Sequence, residues 1–341
     1  SGEATLPIKA WKLNNQLPIS DDEILVRVEK VHIERNSLKQ IKSSVGNDEN
    51  KIKEQIMGIV RDRGKLHNPF TTTGGTIYGV VEKVGKKCDK DVKAGDTVLV
   101  TTSATMIPLF LKSIQSIDLV YGIMEVEGYC VLFNRYNFVK PQIKEAVEPM
   151  LLGFEESPAL FHACELAKGK EKILITGNNL LVALLYALAA KKANDNHCTI
   201  TGVLYPDIDV RSEQKELRRY FERFFDEIHI IEKEDVLKYG NLIINEREER
   251  FDFCINCSDS SGNEILEVLA VKERGCLLYT NVMSTFQSAL FFSEGICKDI
   301  RIVGPIGYID GYESFTAAFM EEVGSVITNF VEYLRSLEKR G

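Results

Sequence analysis

The stretch ILITGNNLLVALLYALAA, residues 173–190, constrains the fold of this 341-residue chain more than any other. Ile173 to Thr176 are apolar or β-branched, the pattern of a buried parallel strand. A glycine and two asparagines follow, and Leu180, Leu181, Leu184, Leu185 and Leu188 then recur at helical spacing. Strand, tight turn and helix open a dinucleotide-binding βαβ unit, in which amides at the helix start hold a diphosphate. The pattern G-x-x-G-x-x-G falls on Gly177, Leu180 and Ala183. Alanine is small enough for helix–strand packing at the last position. Leu180 is a different matter: a diphosphate oxygen must come within about 3 Å of the amides, and a leucine side chain competes for that space. The stretch therefore specifies the fold more firmly than the cofactor, NAD or NADP. Asn178 and Asn179 either contact a phosphate or serve as turn-makers in left-handed conformations.

Beyond this unit, strands and helices alternate. Thr199–Tyr205, Glu227–Ile231, Phe251–Cys257, Gly275–Thr280 and Ile300–Val303 read as further strands, and Glu213–Phe225 as an amphipathic helix with Ser212 as cap. Ser325–Lys339 reads as a closing amphipathic helix, and Ala146–Lys168 as a helix with Pro158 as a kink or first-turn residue. Six such strands predict a doubly wound parallel sheet, whose ligands lie beyond the carboxyl ends of the strands. That rule makes Gly177, Asn178, Asn179 and Leu180, then Asp207, then Asn256, Cys257 and Ser258, then Thr280, the candidate cofactor-binding residues. Asp207, 24 residues past the last glycine-pattern position, suits ribose hydroxyls and would favour NAD; it is equally a turn aspartate. Cys254-x-x-Cys257 lies along a strand, so its sulfurs point to opposite faces, which speaks against a metal or redox pair.

The N-terminal region reads differently. Glu23–Val31 alternates like a half-buried strand. Residues 46–63 predict a helix with Asp48 as cap, Ile52, Ile56, Ile59 and Val60 as its apolar face, and Gly64 as its stop. Thr76–Val84 predicts a strand broken at Gly79, Thr97–Val100 another, and Glu127–Val139 a third. Short strands with glycine turns mean a small β-barrel-like domain.

Composition narrows the partners. A net charge of −8 argues against nucleic acid and anionic membrane, and no apolar run is long enough to span a bilayer. The eight cysteines, mostly in apolar stretches, read as reduced small hydrophobes of a cytoplasmic protein.

Gly79-Val80-Val81-Glu82-Lys83-Val84-Gly85 and Ala94-Gly95-Asp96-Thr97-Val98, followed by the Gly177 unit, resemble the medium-chain dehydrogenase/reductase family in order and spacing. Within it, Lys51–Gly79, Phe251–Cys257, Val271–Gly275 and Glu294–Tyr308 resemble the L-erythro-3,5-diaminohexanoate dehydrogenase family. The resemblance implies a GroES-like β-barrel domain over 1–145, carrying substrate and catalytic residues, and a Rossmann domain over 146–341. It also implies oxidative deamination of a β-amino acid with NAD or NADP in lysine fermentation, in a homodimer. Where zinc members carry a cysteine ligand this chain has Glu34, and where they carry Gly-His-Glu it has Gly74-Gly75-Thr76. No metal is therefore expected, since zinc needs three or four good ligands.

Three N-terminal residues are catalytic candidates. Glu34 either faces the substrate's ammonium or is an exposed loop carboxylate beside Arg35. Asn36 lies where the family often places a polar cleft group, or is a turn asparagine. Tyr78 offers a polar tip, or simply packs in its strand. His67, in a loop, is either an acid–base group or, the commoner case, a surface-loop histidine. A zinc-independent, NAD(P)-dependent enzyme acting on a small amino acid is the first reading. The second is a non-catalytic homologue that keeps the fold for binding or assembly, as the damaged glycine pattern would allow.

Overall fold

The computed structural model describes residues 6–143, 146–206, 214–232, 250–259, 261–262, 264–281, 286–304 and 309–338. The chain forms two compact units, Ser1–Glu155 and Glu156–Gly341.

The first unit is built on a six-stranded antiparallel sheet of β1 (Glu23–Ile33), β2 (Gly75–Val84), β3 (Thr97–Val100), β4 (Leu109–Ile117), β5 (Ile123–Phe133) and β6 (Phe138–Val139), in the order β4-β5-β1-β2-β3-β6. β1 lies centrally, paired with β2 and β5, and its Ile24, Val26, Val28, Val31 and Ile33 enter the core. Between β1 and β2 come α1 (Arg35–Val45) and α2 (Glu49–Arg63). α2 forms as its sequence dictates. The Asp48 carboxylate caps the amides of Asn50 and Lys51, Ile52, Ile56 and Val60 are buried, and Gly64 closes the helix at φ 60°. β2 runs unbroken through Gly79, contrary to the expected break. A Cβ there would lie 2.1 Å from the Arg27 carbonyl oxygen, so the glycine admits the close approach of β1.

α3 (Val147–Glu156) and α4 (Ala159–Ala167) stand where one helix was expected over 146–168, and Pro158, expected as a kink or a first-turn residue, is the N-cap that starts α4. A proline lacks the N–H and the room for an uninterrupted helix, so the chain stops and restarts.

The second unit is a six-stranded parallel sheet. Its strands are β7 (Lys172–Gly177), β8 (Thr199–Leu204), β9 (Glu227–Ile230), β10 (Phe251–Asn256), β11 (Val271–Tyr279) and β12 (Arg301–Val303). Their order is β12-β11-β10-β7-β8-β9. The order reverses between β7 and β10, which makes the β7 end the topological switch point. α5 (Leu180–Ala193) follows β7 and packs against α4 and the long α9 (Tyr312–Glu338). Leu180 to Ala190 are all buried except Leu188, so α5 is enclosed on every side rather than striped. Among the described residues the remaining helices are α6 (Gln214–Phe221), α7 (Glu264–Ala270) and α8 (Phe286–Gly295). α6 is shorter than expected and its proposed cap, Ser212, lies outside the described residues, as does Asp207.

Candidate active site

The end of β1 makes the first candidate site. Glu34 follows β1 directly and is the N-cap of α1, its Oε2 accepting from the Ser37 amide at 3.1 Å. The same oxygen accepts from the Thr73 hydroxyl at 2.7 Å, and Oε1 accepts from the Asn36 carboxamide at 2.8 Å. Thr73 reaches Glu34 because two glycines follow it. A Cβ on Gly75 would lie 1.8 Å from the His32 carbonyl oxygen, and Gly75 takes φ 152°. Only glycine lets that backbone press against β1, and the Glu34 amide then donates to the Gly74 carbonyl at 3.0 Å. The Gly74-Gly75 pair thus shapes the site by geometry.

Glu155, at the C-terminal end of α3, completes the charges. It accepts from the Arg35 amide at 3.0 Å, lies 3.8 Å from the Arg35 guanidinium and 3.2 Å from His32 Nε2. Burial opposes its ionisation, but Arg35 and His32 outweigh burial and hold its carboxyl well below the ordinary range. Glu34 moves the other way. Burial, reinforced by the Glu155 charge, raises its carboxyl above the ordinary range, against the Thr73 hydrogen bond and the Arg35 charge. Two carboxylates, Glu34 and Glu155, here meet the Arg35 guanidinium and the His32 imidazole, and Glu155 takes the close contacts to both. Glu34 is therefore a half-buried carboxylate fixed by hydrogen bonds, not an exposed loop acid. Asn36 lies within the first turn of α1 and orients Glu34.

The other two N-terminal residues lie elsewhere. Tyr78 is buried in β2, where burial and the Glu29 charge raise its phenol and Thr97 hydrogen-bonds it. His67 is buried, not on a surface loop; burial and the charges of Arg63 and Lys65 push its pKa down to about 4, and its carbonyl accepts from Arg63 at 2.6 Å.

The second candidate site is the turn from β7 into α5. Gly177 takes φ 148°, and a Cβ there would lie 2.7 Å from the Cys257 carbonyl carbon. Asn179 caps α5 through the Val182 amide at 3.1 Å, while the Ala183 amide bonds the Asn179 carbonyl. The amides of Leu180 and Leu181 thus remain the first-turn donors, the kind that suit an anion. The Leu180 side chain is 4% exposed, packed in protein rather than standing open at the turn. Asn178 is tied to Asp259 through both its side-chain atoms, donating to the carboxylate and accepting from the Asp259 amide at 3.0 Å.

At the end of β10 the candidates are mostly buried. Asn256 donates to Glu267 at 2.9 Å and accepts from the Ser258 amide at 2.9 Å, so its carboxamide serves the interior, not a ligand. Cys257 and Ser258 are buried; Thr280 is half-buried, its hydroxyl bonded to the Asn256 carbonyl at 3.1 Å. Glu267, absent from the sequence expectations, lies beneath these strand ends. It accepts from Thr176 and Asn256 on Oε1, while Oε2 is buried without a partner among the described residues. Burial raises its pKa to about 7.

Among the described residues, no group of three or more His, Cys, Asp or Glu is placed to hold a metal ion. The donors around Glu34 are hydroxyls and a carboxamide, a poor set for zinc.

The two-unit chain, with one antiparallel sheet and one parallel sheet whose order reverses at the Gly177 turn, shares its fold with solved dehydrogenase structures. Butanediol dehydrogenase from Bacillus subtilis superposes with TM-score 0.55 at 15% identity, over 91% of this chain and 84% of that one. D-arabinose dehydrogenase from Sulfolobus solfataricus gives 0.54 at 14%, over 92% of each. Residues 1–142 match the family model for the L-erythro-3,5-diaminohexanoate dehydrogenase N-terminal domain. The chain is similar along nearly its whole length to L-erythro-3,5-diaminohexanoate dehydrogenases. The one from Acetoanaerobium sticklandii is 26% identical over 96% of this chain and 94% of its own length. The one from Fusobacterium nucleatum is 29% identical over 93% and 91%.

Sequence reasoning singled out Glu34 and Asn36 but missed Ser37, Thr71, Thr73, Glu155 and His32 as their neighbours. The Thr-Thr-Thr-Gly-Gly run was the available signal, since hydroxyls beside paired glycines mark a loop that can close on another strand.

Proposed function

We propose that this chain is a zinc-independent, NAD(P)-linked dehydrogenase that oxidatively deaminates a small amino acid of the 3,5-diaminohexanoate class. The observation that carries the reading is Glu34: a carboxylate held by Thr73 and Asn36 and raised above its ordinary range by burial and by the neighbouring Glu155 charge. The first unit then carries substrate and base, and the second the dinucleotide.

The substrate's ammonium pairs with ionised Glu34, which takes one of its protons. The neutral amine's lone pair then assists departure of the hydride from the adjacent carbon. A nicotinamide, were one bound on the second unit, would supply the hydride acceptor. Water adds to the resulting iminium, Glu34 exchanging the proton, and ammonia leaves to give the 3-oxo acid. Per turnover the balance is substrate ammonium, water and NAD(P)+ in, and ketone, ammonium, a proton and NAD(P)H out. Asn36 orients the base, and Glu155 sets its charge state without touching substrate. Gly177 and the Leu180 and Leu181 amides would take the diphosphate, and Thr280 would lie toward the nicotinamide. Asp207 would select between NAD and NADP.

A homodimer is the assembly that fits best. β12 is an edge strand of the parallel sheet, and Leu290 and Phe291 on neighbouring α8, with Ile296 just beyond, are 57%, 65% and 47% exposed. The eight cysteines are free, which suits a reducing compartment such as the cytoplasm.

The test is NAD(P)H formation and ammonia release from L-erythro-3,5-diaminohexanoate. The wild type should produce both in equal amounts, and Glu34→Gln should lower kcat at least about 100-fold, the share of a general base. Turnover undiminished in a folded Glu34→Gln protein would remove Glu34 from the mechanism.

The second reading, a relative that keeps the fold without a dinucleotide, is favoured by one observation: Asp259 is bonded to Asn178, beside the place a diphosphate would occupy. Dinucleotide titration separates the two.

A further inference from the structure

A base that takes a proton at every turnover must also lose it, and Glu34 is enclosed by protein on most sides. The structure gives it one connected route. Thr73 Oγ1 lies 2.7 Å from Glu34 Oε2, 2.6 Å from Ser37 Oγ and 2.8 Å from Thr71 Oγ1, and Ser37 Oγ lies 2.9 Å from Thr71 Oγ1. Ser37 is fully buried, Thr73 and Thr71 are half-buried, and Pro69, Phe70 and Thr72 beside them are exposed.

Hydrogen-bond arithmetic singles this network out. Each of these oxygen–oxygen approaches needs a proton. The three hydroxyls supply one each, so the network is one proton short while Glu34 is ionised and complete once Glu34 is protonated. The loop that holds it is prebuilt. The Asn68 amide donates to the Thr73 carbonyl at 3.0 Å, the Thr72 amide to the Asn68 carbonyl at 2.9 Å, and the Asn68 side chain to Gln40 at 2.9 Å. Thr72 is held at φ 61°, a conformation unusual for threonine. Capping does not explain the triangle, because Glu34 alone caps α1 and the Ser37 and Thr71 hydroxyls add nothing to that cap.

We propose that Thr73, Ser37 and Thr71 form a proton relay between Glu34 and solvent at the 69–72 loop. The inference rests on the reading of Glu34 as the base. In each passage, protonated Glu34 gives its proton to Thr73 Oγ1. Thr73 gives its own to Ser37 or Thr71, and Thr71 gives one to water or buffer. Each hydroxyl gains one O–H bond and breaks one, and Glu34 returns to the carboxylate. Thr73, Ser37 and Thr71 are positioning residues in this scheme and touch no substrate.

The experiment compares wild type, Thr71→Val, Ser37→Ala and Thr71→Ser in dilute buffer, then with increasing imidazole. Thr71→Val should lower kcat roughly tenfold, a fraction of a proton-transfer catalyst's effect, with KM little changed, whereas Ser37→Ala, which leaves the direct Thr73–Thr71 contact in place, should lower it less. Imidazole should restore the loss by carrying the proton instead, and Thr71→Ser, which keeps an oxygen in place, should restore turnover without it. In the wild type, rates in mixed H2O and D2O should give a curved proton inventory, the mark of several protons in flight. That second measurement stands even if a variant fails to fold. Unchanged kcat in Thr71→Val, a loss that imidazole leaves untouched, or a linear inventory each overturns the relay while leaving Glu34 as the base. A wild type that deaminates nothing with either dinucleotide overturns the base itself, and the relay with it.

Discussion

Glu34 and Glu155 divide the charge of one site unequally, and that division has a consequence in pH. Burial and the Glu155 charge raise Glu34, and the base works only when ionised. Turnover should therefore fall as pH drops through a pKa above the usual glutamate range. Glu155→Gln removes one of the two causes and frees Arg35 to act on Glu34, so the acid limb of the kcat profile should move to lower pH. A limb that stays in place would show that burial alone sets it. Glu267 makes a stability prediction. Its folded pKa of about 7 exceeds the ordinary 4.5, so the fold prefers the neutral acid. The stability this group contributes is complete below pH 4.5 and is lost as pH rises to about 7, a loss of about 3 kcal/mol by the difference between the two pKa values. Glu267→Gln should flatten that slope and raise stability at pH 8, as urea unfolding between pH 5 and 8 would measure. Of these residues only Glu34 was legible in the sequence, through its match to the position where zinc members of the resembled family carry a cysteine ligand. Glu155 and Glu267 sit in helices whose spelling says nothing of what they meet in space.

At the scale of elements, the glycine turn decides most. Gly177→Ala puts a methyl group 2.7 Å from the Cys257 carbonyl carbon at a φ of 148°, and should cost about 1–3 kcal/mol of stability from backbone strain. It should weaken dinucleotide binding with it. Leu180→Gly should leave binding of NADH or NADPH little changed in a calorimetric titration, because the side chain packs in protein, while costing about 2–5 kcal/mol, the usual loss for emptying a buried leucine site. Tighter binding in a folded Leu180→Gly protein would show the leucine to be an obstacle after all. The sequence announced β7, α5 and the parallel strands because long apolar runs between helices have few other uses. α1 was missed because only Leu38, Ile41 and Val45 mark its apolar face and its cap is a glutamate, a residue outside the usual capping set. β4 was missed because Lys112, Ser113, Gln115 and Ser116 blur the alternation; its Leu109, Leu111 and Ile117 are nonetheless buried.

For the whole molecule, the two sheets and their order follow from a sequence that switches from short glycine-punctuated strands to alternating strands and helices. Assembly is less legible, since an edge strand looks like any other until its neighbours are known. If α8 and β12 join two copies, Phe291→Lys should yield a monomer by light scattering, where the wild type is twice that mass. A wild type already monomeric at micromolar concentration would leave the exposed Leu290 and Phe291 to another purpose. The central claim is that a dinucleotide rests on the amides after Gly177, despite the leucine that replaces the middle glycine. Calorimetric titration of the wild-type protein with NADH and NADPH tests it most directly. Saturable, one-site binding of at least one of them is expected, weakened by Gly177→Ala in a protein that still folds; no heat of binding from either at millimolar concentration would contradict it.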